Sequence, residues 1–265
     1  MRVLVTNDDG IDAVGIRVLA AALAARGFDP VVAAPRVDSS GTSAALHATE
    51  DDGRVLIERR DLDGLVGYAI AGSPAYITLL GLGGAFGAPP DLVFSGINRG
   101  ANAGRAVLHS GTVGAALTAS AAGCRAMAVS LDILSAAAAT TASGGAMVTM
   151  SPEDEAARNW HTAATTAVDL VDALLAAPAG VVLNVNAPDL PADRLRGVRR
   201  ATLAAFGQVA MTVVESGEGY VRTAQRQSEQ ELLAGTDLAV LGEGYAAVTP
   251  LRALGEASDV RLPGL

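Results

Sequence analysis

Lysine is missing from this 265-residue chain, whose 19 basic residues are all arginine. Against 28 acidic residues they leave a formal net charge of -9 and a pI near 4.8. An open surface for a nucleic-acid duplex needs a basic stripe, which this balance excludes. A small phosphate ester is not excluded, because a bound cation reverses the sign locally. Cysteine is down to one, Cys124, so no internal disulfide forms and no thiolate metal cage is available. An unpaired thiol fits a reducing, cytoplasmic compartment. Aromatics are 3% of the chain while 50% is hydrophobic, so Val, Leu, Ile and Ala must fill the core. No apolar run reaches the length of a membrane-spanning helix. Asn7, Asp8 and Asp9 interrupt the first apolar run too early for a signal peptide. At this length a single domain over 1–265 is the expectation.

What is present is a rhythm. "RVLVT" at 2–6 is a short buried strand, "GIRVLAAALAARG" at 15–27 has helical spacing and a terminal Gly, and "PVVAAP" at 30–35 is the next strand. That order predicts parallel strands joined by a right-handed crossover. It recurs as helix at 75–84, strand at 91–96, helix at 112–123 and strand at 126–131. A long amphipathic helix over about 154–177 then leads into a strand at 181–186. Residues 135–149, small and uncharged, read as a flexible low-complexity loop. From about 189 to 265 the alternation fades. "QVAMTVVES", "YVRTAQRQ" and "LAVLGEGYAAVTPL" read as strands of an antiparallel, β-rich extension.

In an open parallel sheet, ligands sit at the carboxyl ends of the strands. Four loops there carry polar residues: "NDDG" at 7–10, "PRVDSSGTSAA" at 35–45, "SGINRGANAG" at 95–104 and "HSGTVGAA" at 109–116. Each has a bland reading. Asp8-Asp9 could be a solvated turn, Ser110 an N-cap, and Asn98 a side chain holding its own loop. Taken together, two carboxylates, a hydroxyl and an amide oxygen form an all-oxygen set suited to Mg²⁺ or Mn²⁺. The helix start at Ser110-Gly111-Thr112 offers backbone N–H groups to a phosphate. Gly41, Gly96 and Gly111 would admit close approach of a ligand. The sum is metal-assisted hydrolysis of a phosphate ester.

The motifs "MRVLVTNDDG", "PDLVFSGINRGANAG", "SGTVGAA", "LNVNAPDLP" and "GTDLAVLGEGYAAVTPL" resemble, in order and spacing from residue 1 to about 251, the SurE family of metal-dependent nucleoside-monophosphate phosphatases. The resemblance implies a three-layer, Rossmann-like α/β core with a largely parallel sheet. It also implies C-terminal arms exchanged within a homodimer or homotetramer. It places the metal on Asp8, Asp9, Ser40 and Asn98, with Ser40 chosen over Ser39 because it directly precedes Gly41. It assigns phosphate contacts to Asn98, Ser110, Gly111 and Thr112, and catalytic roles to Asp8, Asp9 and Asn98. The departures are Val14 for a Pro, "APRVDSSG" for a family "APDRNRSG", Tyr76 for an acid, His109 for a Tyr and Thr118 for a Glu. An intact metal set amid drifted surroundings favours retained hydrolysis of a small phosphorylated, nucleotide-like substrate with altered preference.

In the implied reaction the cation orients a phosphate oxygen, and Asp8 or Asp9 accepts a proton from water. No convincing general acid for the leaving group stands out; His109, which adjoins the Ser110 turn, is either that acid or a structural histidine. Tyr76 and Trp160 either stack a base or pack in the core. Two rivals stand beside the nucleotidase: a dedicated phosphatase for an intermediate of specialised metabolism, and a catalytically silent nucleotide- or partner-binding protein. A dinucleotide-binding oxidoreductase is set aside, because "NDDGIDAVG" lacks the G-x-G-x-x-G spacing.

Overall fold

β1 (Arg2–Thr6) lies inside a nine-stranded sheet, and the chain builds outwards from it in both directions. The computed structural model describes residues 1–133, 151–207, 209–227, 231–253 and 255. The loop expected at 135–149 lies outside the described residues. The strands that follow are β2 (Asp29–Pro35), β3 (Glu50–Asp51), β4 (Arg54–Val55), β5 (Ile57–Leu62), β6 (Leu65–Ile70) and β7 (Leu92–Arg99). After them come β8 (Arg125–Asp132), β9 (Val181–Pro188), β10 (Val198–Arg200), β11 (Val209–Gly217), β12 (Tyr220–Gln227) and β13 (Ala246–Arg252). The helices are α1 (Val14–Ala25), α2 (Pro74–Leu82), α3 (Gly111–Ala121), α4 (Pro152–Ala156), α5 (Trp160–Asp169), α6 (Val171–Ala176) and α7 (Asp237–Gly242).

The sheet order is β10-β13-β9-β8-β7-β1-β2-β6-β5. Its centre, from β9 through β7 and β1 to β6, is parallel, whereas β5 and β13 are each antiparallel to an inner neighbour. Central strands such as β1 and β8 are apolar on both faces because helices cover both. One face packs Val3, Val5, Phe94 and Met127 against Ile16 and Leu19 of α1 and Trp160 and Ala163 of α5. The other packs Leu4, Val31 and Val93 against Ile77 of α2 and Val113 and Ala116 of α3. Three layers result, α/β as expected. From β1 the chain steps to β2 on one side, and later to β7 on the other. The crevice between β1 and β7 is therefore the switch point, where loops leave in opposite directions.

Three expectations are corrected. The single helix over 154–177 is three pieces, α4, α5 and α6. The break at 157–159 has a local cause in the buried carboxylate of Asp189. It pairs with Arg158 Nη1 at 3.0 Å and accepts from Asn159 N and Nδ2, both at 2.8 Å, so these groups serve Asp189 and not a continuous ladder. "LAVLG" is not a strand but most of α7, since Asp237 accepts from Leu238 N, Gly104 N and Ala204 N and fixes a helix start there. "AAVTPL" lies in β13, inside the main sheet, so the antiparallel extension reduces to the β11–β12 hairpin. Between 36 and 70 the sequence marked no strand, yet β3 to β6 lie there. β5 reads "IERRDL", a charged edge strand without the apolar run that signals a buried one.

Candidate active site

β1 ends in a turn that the Asn7 side chain builds. Its Nδ2 donates to Gly10 O at 2.9 Å and its Oδ1 accepts from Gly10 N at 3.1 Å. This closed Asx-type turn presents Asp8 and Asp9 at the switch point. Asn7 has a structural role that its neighbours' charges hide, although Asn as the first residue of an N-x-x-G turn is the signal that could have found it. Asp8 is 3% exposed.

The other loops close around this pair. Ser39 N donates to Asp8 O at 2.7 Å, which seats the loop after β2 against the turn. Arg99 N donates to Asp9 Oδ2 at 3.1 Å, which seats the end of β7 on the other side. A one-residue shift in the β7–β8 register between Ser95 and Asn98 lifts Asn98 towards the loops. The bonds of Ser39 and Arg99 thus seat the chain next to Ser40 and next to Asn98 against the Asp8-Asp9 turn.

The start of α3 completes the enclosure. The Thr112 hydroxyl donates to Asp8 Oδ1, and the Thr112 backbone also bonds to Asp8. A Cβ on Gly111 would stand 2.8 Å from Asp8 Oδ2, so a side chain there would displace the carboxylate. Ser110 is the N-cap, its Oγ accepting from Val113 N at 3.0 Å. The hydroxyls of Ser110 and Thr112 are therefore engaged with the protein, and Gly111 makes room for Asp8. Gly96, with φ of 142°, approaches the neighbouring strand and not a ligand: a Cβ there would meet Val129 O at 2.2 Å. Gly41 has nothing within 4 Å.

Burial works against both carboxylates. The Asp8 carboxyl is raised first by desolvation, with Thr112 pulling in the opposite direction and Asp38 adding to the rise. Asp9 is pushed up to about 7, by desolvation first and by the Asp8 charge second, against the pull of Arg99. Two oxygens of the set, Asp9 Oδ1 and Ser40 Oγ, are buried and meet no hydrogen-bond donor among the described residues. Ser39 Oγ, by contrast, donates to Val37 O at 3.3 Å. Asn98 Nδ2 donates to Gly100 O at 2.7 Å, so the bland loop-holding role exists and the amide oxygen is the remaining end. Orphaned oxygens, raised carboxyls and an amide oxygen fit a small hard cation, which takes oxygen ligands and favours ionised carboxylates. No group of three or more His, Cys, Asp and Glu side chains able to hold a metal occurs among the described residues. The set at the switch point is a mixed one that includes a hydroxyl and an amide.

Two features went unread in the sequence. Arg99 combines its backbone bond to Asp9 with a guanidinium 3.8 Å from Asp38 Oδ2, which puts positive charge beside the carboxylates. Its place directly after Asn98 was the available signal. Asn102 is the second. It donates from N to Asn186 Oδ1 (2.8 Å) and from Nδ2 to Ser130 Oγ (2.9 Å), and its carbonyl accepts from Asn184 and Asn186 Nδ2. This buried network anchors the loop that follows Asn98 to β8 and β9.

His109 is exposed at the end of a 3-10 turn. Trp160 is 2% exposed in the core and donates from Nε1 to Glu155 O at 2.7 Å, so it packs and does not stack a ligand. Tyr76 is half-buried near Gly72.

Known proteins resemble this chain in both sequence and fold. Residues 3–209 match the family model described as survival protein SurE. The 5'-nucleotidase SurE of Xylella fastidiosa (strain M12) is 35% identical over 256 residues, which cover 95% of this chain and 89% of that protein. The 5'-nucleotidase SurE of Xanthomonas campestris pv. campestris (strain B100) is 38% identical over the same shares. The crystal structure of the SurE protein from Aquifex aeolicus superposes with a TM-score of 0.74 at 26% identity, covering 98% of this chain and 96% of that one.

Proposed function

The chain belongs to the SurE family, and from that premise and the site's chemistry we propose that it hydrolyses nucleoside 5'- or 3'-monophosphates with one divalent cation, Mg²⁺ or Mn²⁺. The observation that carries the reading is the pair of orphaned buried oxygens, Asp9 Oδ1 and Ser40 Oγ, next to two carboxyls raised by burial. A silent binding protein would have no use for such an arrangement, which is costly unless a cation meets it. The nucleotide preference follows the activity named for the relatives, over a phosphatase of specialised metabolism.

Asp8, Asp9, Ser40 and Asn98 would hold the cation. When bound, it neutralises phosphoryl charge and lowers the pKa of an attacking water. Each residue then has a distinct part. Thr112 fixes Asp8 in one orientation through its hydroxyl and backbone. Asp9 keeps Oδ1 free of protein donors, so it is the better placed of the two to accept the water's proton there. Arg99 and the first backbone N–H groups of α3, at Gly111, face charge that grows on the phosphoryl oxygens. Ser110 supports that helix start as its cap. His109, exposed directly before the Ser110 cap, is the candidate general acid for the leaving group.

The unpaired thiol of Cys124 suits the cytoplasm, and no helix of the described residues is long and apolar enough to cross a membrane. The β11–β12 hairpin is assigned to contact with a second copy, in a homodimer or homotetramer. The test of the function is phosphate release from AMP and from 3'-AMP with each cation in turn. Release that needs the cation supports it, and absence of release from both esters sinks it.

A further inference from the structure

Beside the carboxylate site, a cavity of about 320 Å³ opens between the ends of β2 and β6. Its size is at the lower end of ordinary ligand pockets, roughly 300–1,000 Å³. Ser39 and Thr42 form the wall shared with the site: Ser39 N bonds to Asp8 O, and Thr42 Oγ1 stands 3.0 Å from a Cβ placed on Gly111. Its apolar lining comes from Val37, which is open, with Pro35 and Ile70 buried behind it. β2 separates β1 from β6 in the sheet. The cavity therefore lies two strand spacings from Asp8, about 10 Å, which is the reach of a nucleoside from its phosphate.

The cavity is built and not incidental. Its outer wall, the loop after β2, is stapled to the β6–α2 turn by a set of short bonds. Thr49 N donates to Ala71 O (2.7 Å), Ser73 N to His47 O (2.8 Å), and Ser73 Oγ to Ala45 O (2.5 Å). Arg36 lines the cavity with its backbone bonded to Ile70 O at 2.9 Å and its Nη2 paired with Glu58 Oε1 at 3.0 Å. The pairing fixes the guanidinium, which keeps 32% of its side-chain surface open. Val37, an apolar side chain, is 72% exposed on the same loop. A planar donor fork on a loop that also exposes an apolar side chain suits a flat ring that carries acceptor atoms on its edge.

We propose that this cavity is the subsite for the leaving group, a heteroaromatic base, and that Arg36 is the residue that reads its edge. The proposal rests on the nucleotidase reading and adds where the nucleoside goes. Arg36 is a specificity residue and touches no reacting atom.

The test compares the wild type with Arg36→Met and Glu58→Gln on AMP, GMP and glycerol phosphate, whose leaving group is too short to reach the cavity. Arg36→Met is expected to raise KM for the nucleotides about tenfold, as loss of a charged hydrogen bond does, while kcat/KM for glycerol phosphate stays unchanged. Adenosine and guanosine, without phosphate, should compete in the wild type and lose about the same factor in Arg36→Met. Glu58→Gln, which removes the ion pair but keeps the guanidinium, should lose far less. Equal losses on both kinds of ester, no loss on either, or the same loss in Glu58→Gln would overturn the subsite alone. A wild type that splits glycerol phosphate but no nucleotide overturns the nucleotide reading and the subsite with it.

Discussion

Two adjacent carboxylates at the end of a buried strand destabilise the fold whenever both are charged, and Asp9 shows the consequence. Its folded pKa of about 7 lies above the ordinary 3.8. Between those values the folded protein holds a proton that the unfolded chain has lost, so folding stability falls as pH rises. The stabilising proton is fully in place below the unfolded value and gone above the folded one. The raised Asp8 acts in the same direction. Cation-free protein should accordingly have a lower Tm at a pH of about 8 than at about 5, and added Mg²⁺ or Mn²⁺ should raise Tm more at the higher pH. Calorimetry at both values checks this; a cation-free Tm that rises with pH contradicts it. The candidate set Asp8, Asp9, Ser40 and Asn98 is taken from the sequence residue by residue, since each member sits in a short motif. Arg99 is not, because its link to Asp9 runs through the backbone, which side-chain chemistry does not reveal.

At the scale of elements, Asp189 decides where a helix stops. It is 1% exposed, and its carboxylate holds Arg158 and both nitrogens of Asn159. Removing one member of a buried ion pair costs roughly 3–5 kcal/mol. Asp189→Ala should lower the unfolding free energy by that amount, read as a lower urea midpoint with little change in the denaturant slope, since the protein still folds as one sheet. A loss below about 1 kcal/mol would reduce the pair to the standing of a surface bridge. This contact explains why periodicity failed over 154–177. Apolar spacing continues across the break, while the cause of the break lies 30 residues further on. β1, α1, β2, α3 and β8 were legible because local pattern and burial agree in them. β5 and α7 were not: a charged edge strand has no buried face to show, and α7 depends on Asp237 bonding to Gly104 and Ala204, far along the chain.

For the whole molecule, the sheet order carries the functional argument. Parallel strands leaving β1 in both directions create one crevice, and the four polar loops could meet only there. The β11–β12 hairpin stands outside that logic. It forms its own two-stranded sheet and exposes Val213 (65%), Tyr220 (53%) and Val221 (61%). These apolar side chains are the ones through which the proposed contact with a second copy would run. Val213→Asp with Val221→Asp should lower the mass seen by analytical ultracentrifugation, and an unchanged mass would remove the hairpin from the assembly.

The central claim is that Asp8, Asp9, Ser40 and Asn98 hold a catalytic cation. Its most direct test is phosphate release from AMP by chelator-treated protein as Mg²⁺ or Mn²⁺ is added back, with Asp8→Asn measured alongside. No release without cation, saturable recovery with it, and a folded but silent Asp8→Asn are the results this account predicts. Release that survives chelation, or an Asp8→Asn variant that recovers like the wild type, would contradict it.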